Sequence, residues 1–164
     1  MRAVVVYESF WGNTATVARA IAEGIGPEAR SLSTDEATAS ALEGAELVVA
    51  GAPLIAFSLS NDASRRNIGN DTKAPVKADL THPSMRLWLS DLLPASGRYA
   101  TFETGFKLSP GSATKRISQG MESVGYTRAA KPERFLVAGT YGPMREGEVE
   151  RARAWGATLA RGSR

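Results

Sequence analysis

Cysteine is absent from the 164-residue chain. Disulfides, thiolate catalysis and Cys-ligated zinc are therefore excluded. Histidine is almost absent: His82 is the single one, followed by Pro83 in a polar stretch, and its position predicts an exposed loop imidazole. No Ser-His-acid arrangement can be assembled from it, so no catalytic residue is assigned. Long apolar runs are missing, and none of those present could span a bilayer. Arg2 is followed by only a few valines before Tyr7 and Glu8, too short for the apolar core of a signal peptide. Together these features predict a cytoplasmic protein without a membrane span. A surplus of one charge is missing too. The net charge is +3, and Arg65-Arg66 and Lys115-Arg116 are the only adjacent basic pairs. Scattered charge of this kind reads as a solvated surface and gives no nucleic-acid face. Asp62, Asp71 and Asp79 are spread without the spacing of a metal loop, and no metal is expected.

What is present is ordinary for a globular protein, with 43% apolar and 23% charged residues. The length suits one domain with a sizeable core, so residues 1–164 read as a single domain. "AVVVY" (3–7) is continuous and β-branched, as a strand buried on both faces should be. Residues 13–25 carry Val17, Ala18, Ile21, Ala22 and Ile25 on one helical face, with Gly24, Gly26 and Pro27 as a stop. "ARSLS" (29–33) is a weak strand, 38–42 a short helix, and "ELVVAGAP" (46–53) another buried strand. Residues 58–83 are polar and form a surface excursion; long loops of this kind are often functional. A helix over 84–93 places Met85, Trp88, Leu89 and Leu92 inward. A strand at 98–104, a helix at 111–124 and a strand at 134–142 follow. The closing helix, 146–159, turns Val149, Ala152, Gly156 and Leu159 inward and has its acids early and its arginines late, which suits the helix dipole. Strands joined by crossover helices run parallel. The pattern predicts an α/β fold, a doubly wound open sheet of five parallel strands with helices on both faces. Such sheets bind ligands at the carboxyl ends of their strands.

The loop "SFWGNT" (9–14) joins the first strand to the first helix. A helix start leaves backbone N–H groups without partners and carries a partial positive charge, so it can hold an anion with no basic side chain. Gly12 allows a tight turn and close approach, and Ser9, Asn13 and Thr14 add neutral donors. A monophosphate is the natural guest. The plain alternative is a helix capped by Thr14 or Asn13 with nothing bound. The G-x-x-x-x-G-K-[ST] phosphate loop and the G-x-G-x-x-G dinucleotide fingerprint are both missing. A phosphoaspartate receiver would need an acid at the end of the third strand, where Ala50-Gly51-Ala52 stands.

"SFWGNT" after "VVVYE", with Val17-Ala18 and Ile21 beyond it, resembles the phosphate loop of the flavodoxin family. "LVVAGAP" is similar to that family's third strand. "FETGFKLSPGSATKRISQGMESVGY" is similar to its fourth strand, third flavin loop and following helix, and "GTYGPMREGEVERARAWGATLA" to its closing strand and helix. The resemblance covers almost the whole chain. It implies strand order 2-1-3-4-5, one non-covalent FMN and electron transfer through it. Carried over, Ser9, Phe10, Trp11, Gly12, Asn13 and Thr14 would hold the phosphate. Ala52, Pro53, Leu54, Ile55, Ala56 and Phe57 would flank the isoalloxazine, and Glu103, Thr104, Gly105 and Phe106 would border its pyrimidine edge. Trp11 and Phe57 would be its aromatic neighbours. Two activities are open within this class, an electron shuttle with an unidentified redox partner and a small quinone-type reductase. A flavin-free binding or scaffold protein on the same fold is the alternative from another class.

The chain departs from the family in three ways. Trp11 stands where a hydroxyl residue is common. The second loop has no glycine from Pro53 to Gly69, and β-branched Ile55 resists positive φ. The net charge is basic, whereas electron-carrying flavodoxins are typically acidic and steered to cationic partners.

Overall fold

A computed structural model describes residues 1–162. The sheet is built on β1 (Ala3–Tyr7), β2 (Ala29–Ser33), β3 (Leu47–Pro53) and β4 (Arg98–Gly105). Two short strands, β5 (Thr127–Arg128) and β6 (Glu133–Leu136), share the far edge. The order is β2-β1-β3-β4-β5, with β6 also beside β4, and every strand pairing is parallel. The strand expected over 134–142 is β6, which stops at Leu136, and β5 is a short strand that lies before it. β5 pairs with Arg98 and Tyr99, and β6 pairs with Phe102 to Gly105.

The helices are α1 (Asn13–Ile25), α2 (Ala39–Leu42), α3 (Asp62–Gly69), α4 (Met85–Ser90), α5 (Thr114–Ser123) and α6 (Glu148–Arg161). Successive side chains of a strand face opposite sides, and β1 shows what its unbroken apolar run is for. Ala3 and Val5 pack with α1 and α6; Val4 and Val6 pack on the other side with α4 and α5. Each fully buried valine contributes about 1.5–3 kcal/mol.

α1 and α6 approach backbone to backbone. A Cβ on Gly24 would collide with the Arg153 carbonyl, and one on Gly156 with the Ile21 carbonyl. Gly24 is a packing residue inside α1, and the helix ends at Gly26. Gly156→Ala should therefore destabilise the protein by about 1–3 kcal/mol despite the better helix propensity of alanine, because backbone cannot step aside. A urea unfolding curve checks this, and a higher midpoint would contradict the close contact.

The polar excursion is structured. Asn61 and Ser64 form a capping box at the start of α3, each side chain bonded to the other's backbone at 2.8 Å. No residue of α3 is buried, so no apolar period announced it. Ser60 and His82, at the two ends of the excursion, are buried.

Candidate functional site

The loops after β1, β3 and β4 meet at the carboxyl ends of their strands. Thr14 and Thr104 hydroxyls are 2.9 Å apart and buried, which fastens the start of α1 to β4. The Leu54 amide donates to the Thr104 carbonyl at 2.9 Å, and the Val137 amide to the Gly105 carbonyl at 3.1 Å. Between these loops lies a cleft of about 100 Å³. Of the residues singled out from sequence, it brings together Ser9, Phe10, Trp11, Asn13 and Thr14 from the first loop, Pro53, Leu54 and Ile55 from the second, and Thr104, Gly105 and Phe106 from the third. No lining side chain is ionisable.

The start of α1 is uncapped. Gly12 occupies the N-cap with φ 94°, and no side chain bonds there. Its own amide donates to Ser9 Oγ at 3.1 Å, and its carbonyl accepts from the Thr16 amide at 3.0 Å. The amides of Asn13, Thr14 and Ala15 meet no acceptor among the described residues. The local-cap alternative is therefore not what the chain does here. Three N–H groups remain, with the positive end of the helix dipole behind them.

Five singled-out residues lie outside this lining. Gly12 borders a neighbouring hollow on the β2 side, with Tyr7, Asp35, Asp79 and His82. Ala52 is wholly buried in the sheet. Ala56 and Phe57 form a tight turn closed by two Ile55–Ser58 backbone bonds, both with positive φ, 46° and 75°. Left-handed backbone falls on these two residues and not on Ile55; for L-residues it is strained by about 1–2 kcal/mol each. Phe57 is 68% exposed.

The fifth, Glu103, is buried. Its Oε1 accepts from the Ala113 and Thr114 amides at 2.9 and 3.1 Å, and so caps α5 together with Ser112, whose Oγ accepts from the Lys115 amide at 3.1 Å. Its Oε2 lies 2.7 Å from Arg134 Nε. Arg134 in turn donates to the Phe106, Ser109 and Gly111 carbonyls at 3.0, 2.9 and 3.1 Å, fixing the third loop from below.

Ser109, Val137 and Thr140 also line the cleft and were not singled out. The last two fall within the strand expected over 134–142. The strand stops at Leu136, and the glycines at 139 and 142 were the available sign that a loop begins there.

The excursion wraps the first loop. Asp79 N donates to the Phe10 carbonyl at 2.8 Å, Trp11 Nε1 to the Val76 carbonyl at 3.1 Å, and the Tyr141 hydroxyl to Asp71 at 2.6 Å. The Tyr141 bond holds the Asp71 carboxyl below its ordinary range and pushes the phenol up. Trp11 meets Tyr141 edge-on, with ring centroids 4.9 Å apart. His82 is a correction to the exposed reading. It is 7% exposed, because the excursion folds back onto Phe10, whose ring centroid lies 6.2 Å away. Burial holds its imidazole below the usual histidine range, against the pull of Asp79.

Neither a family model nor a curated protein sequence matches the chain. Solved structures do. A flavodoxin from the domain Archaea is 20% identical over 98% of this chain and 97% of its own, with a TM-score of 0.67. The flavodoxin of Streptococcus pneumoniae TIGR4 is 14% identical over the full length of both, with a TM-score of 0.68. This is a flavodoxin-like fold. Rubredoxin:oxygen oxidoreductase from Desulfovibrio gigas contains it as part of a longer chain: 98% of the present chain aligns with 35% of that one at 19% identity and a TM-score of 0.63. Among the described residues no helix is long and apolar enough to cross a membrane.

Proposed function

We propose that the chain binds FMN in this cleft and transfers electrons through it. The observation that carries this reading is the uncapped start of α1, with three N–H groups free beside a cleft formed by the three loops at the carboxyl ends of β1, β3 and β4. A phosphate there would be held by the amides of Asn13, Thr14 and Ala15, with the Ser9, Asn13 and Thr14 side chains beside it, and by no cation. Pro53, Leu54, Ile55 and Val137 give an apolar wall for a flat ring, and Thr104, Gly105 and Phe106 its other border. The residues fit the group. At about 100 Å³ the cleft is smaller than pockets that bury a whole ligand, so the loops must part or leave much of the ring at the surface. The flavin, when bound, supplies the redox chemistry, and the chain binds, orients and shields it.

Purified protein should be yellow or should quench the fluorescence of added FMN. Asn13→Ala with Thr14→Ala should weaken FMN by about tenfold or more, roughly 1.4 kcal/mol, while riboflavin, which lacks the phosphate, loses little. Equal losses for both ligands would contradict the phosphate role. A colourless protein indifferent to FMN would support a flavin-free scaffold. Turnover of NAD(P)H with quinone acceptors by the holoprotein would identify a reductase; inertness would favour a shuttle.

A further inference from the structure

The crossover from β2 to β3 is brief. Its helix, α2, is one turn long and buries no residue. Beside it lies a recess of about 850 Å³ between α2, the C-terminal end of α4 and the segment leading into β4. It shares no lining residue with the three-loop cleft.

Its walls are apolar and partly aromatic: Ala37, Leu42, Trp88, Leu92, Leu93 and Tyr126. Trp88 is fixed by its indole N–H, which donates to the Ala37 carbonyl at 2.9 Å. Tyr126 is only 8% exposed, and its hydroxyl, which bonds no described residue, is not among the buried atoms left without a partner, so it is open to whatever enters the recess. Burial pushes that phenol above its ordinary range. The charged side chains of the lining are all acidic: Asp35, Glu43 and Asp91. Arg2 comes up to Gly44 without lining the recess. On a chain carrying a net charge of +3, a recess whose charged lining residues are all acidic runs against the average.

We propose that this recess is a second binding site, for a small lipophilic amine: a flat ring system carrying an alkylammonium group. The volume falls within the roughly 300–1,000 Å³ of pockets that enclose a small organic ligand, and the lining mixes an apolar part with the hydroxyls of Thr34, Thr38, Ser40 and Ser96 and the three carboxylates. The ring lies in the apolar trough. Trp88 and Tyr126 line that trough. The three carboxylates hold the ammonium at the mouth and repel anions. The Tyr126 hydroxyl is available to hydrogen-bond the ligand. Flavin binding at the other site is not required.

Dansylcadaverine, a ring with an alkylammonium tail, tests this against dansylamide, the same ring without the charge. With the full chain, dansylcadaverine emission should rise and saturate, and excess FMN should not displace it. Asp35→Asn, Glu43→Gln and Asp91→Asn together should weaken it by about tenfold or more, and leave dansylamide nearly unchanged. These three side chains are exposed, so the variant should keep its melting temperature. Tyr126→Phe, which removes only the hydroxyl, should weaken dansylcadaverine by about two- to fivefold. Absence of saturable binding at millimolar probe would overturn the proposal. So would equal affinity for the two probes, an equal loss of both in the charge variant, or displacement by FMN. FMN titrated alone reports separately on the three-loop cleft, so failure at one site is distinguishable from failure at the other.

Discussion

Arg65→Ala should destabilise the protein by about 3–5 kcal/mol, the cost of leaving a buried charge without its partner. Glu8 directly follows β1 with a fully buried side chain, and Arg65 Nη1 lies 2.7 Å from its Oε2. The Ser60 hydroxyl also bonds the carboxylate, at 2.9 and 3.1 Å, and the Met85 amide does so at 3.3 Å. Arg65 donates to the His82 carbonyl at 2.8 Å and sits 5.5 Å from the centre of the Phe10 ring. One guanidinium therefore ties the end of β1, α3, the return of the excursion and the first loop of the cleft together. Burial already raises the Glu8 carboxyl above its ordinary range, with Ser60 and Arg65 pulling it down. A raised value in the folded state means that the native protein holds the extra proton. Stability contributed by Glu8 is then fullest below the unfolded value and falls as pH rises through the folded one. Without Arg65 the folded value rises further, so the loss should be larger near about pH 8 than near about pH 5. Adding Glu8→Gln should recover much of it, since an amide needs no counter-charge. Urea unfolding at both pH values measures this. A pH-independent loss, or one under about 1 kcal/mol, would sink the latch.

Arg134→Ala should cost about 3 kcal/mol, the low end of the same range, because Glu103 keeps the Ala113 and Thr114 amides. The more specific effect lies in the third loop. The carbonyls of Phe106, Lys107, Ser109 and Gly111 lose this donor. Phe106 and Ser109 line the cleft, so amide hydrogen exchange over 106–111 should accelerate and FMN affinity should fall with it. Arg134→Lys should rescue little. Lysine keeps the charge, but it lacks the planar fork that reaches Glu103 and the carbonyls at once. Full rescue by lysine, or unchanged exchange in the alanine variant, would show that the loop holds itself.

Both latches concern residues that stand far apart in sequence, and that separates what was legible from what was not. The unbroken valines of β1, the apolar face of α1 and the spacing of Met85, Trp88 and Leu89 are local patterns with one burial solution each, and the structure buries them accordingly. The parallel doubly wound order follows from alternation of strands and helices. The first loop was visible because strand, glycine and helix start are adjacent in the chain. β5 escaped because Thr127 and Arg128 are polar and exposed, and only the neighbouring edge of β4 makes them a strand. α3 left one local sign, the Asn61–Ser64 spacing, and no apolar one.

By itself, then, the sequence determined the layers, the strand directions and a helix start at the carboxyl edge of the sheet, because burial periodicity and chain adjacency are written in neighbouring residues. Tertiary structure alone decided that this helix start is left uncapped, that His82 turns inward, that Glu103 caps a helix, that Gly24 is a packing glycine, and that Ser109, Val137 and Thr140 join the cleft. Each of these depends on which distant backbone comes to lie opposite, and that is set only when the crossovers close.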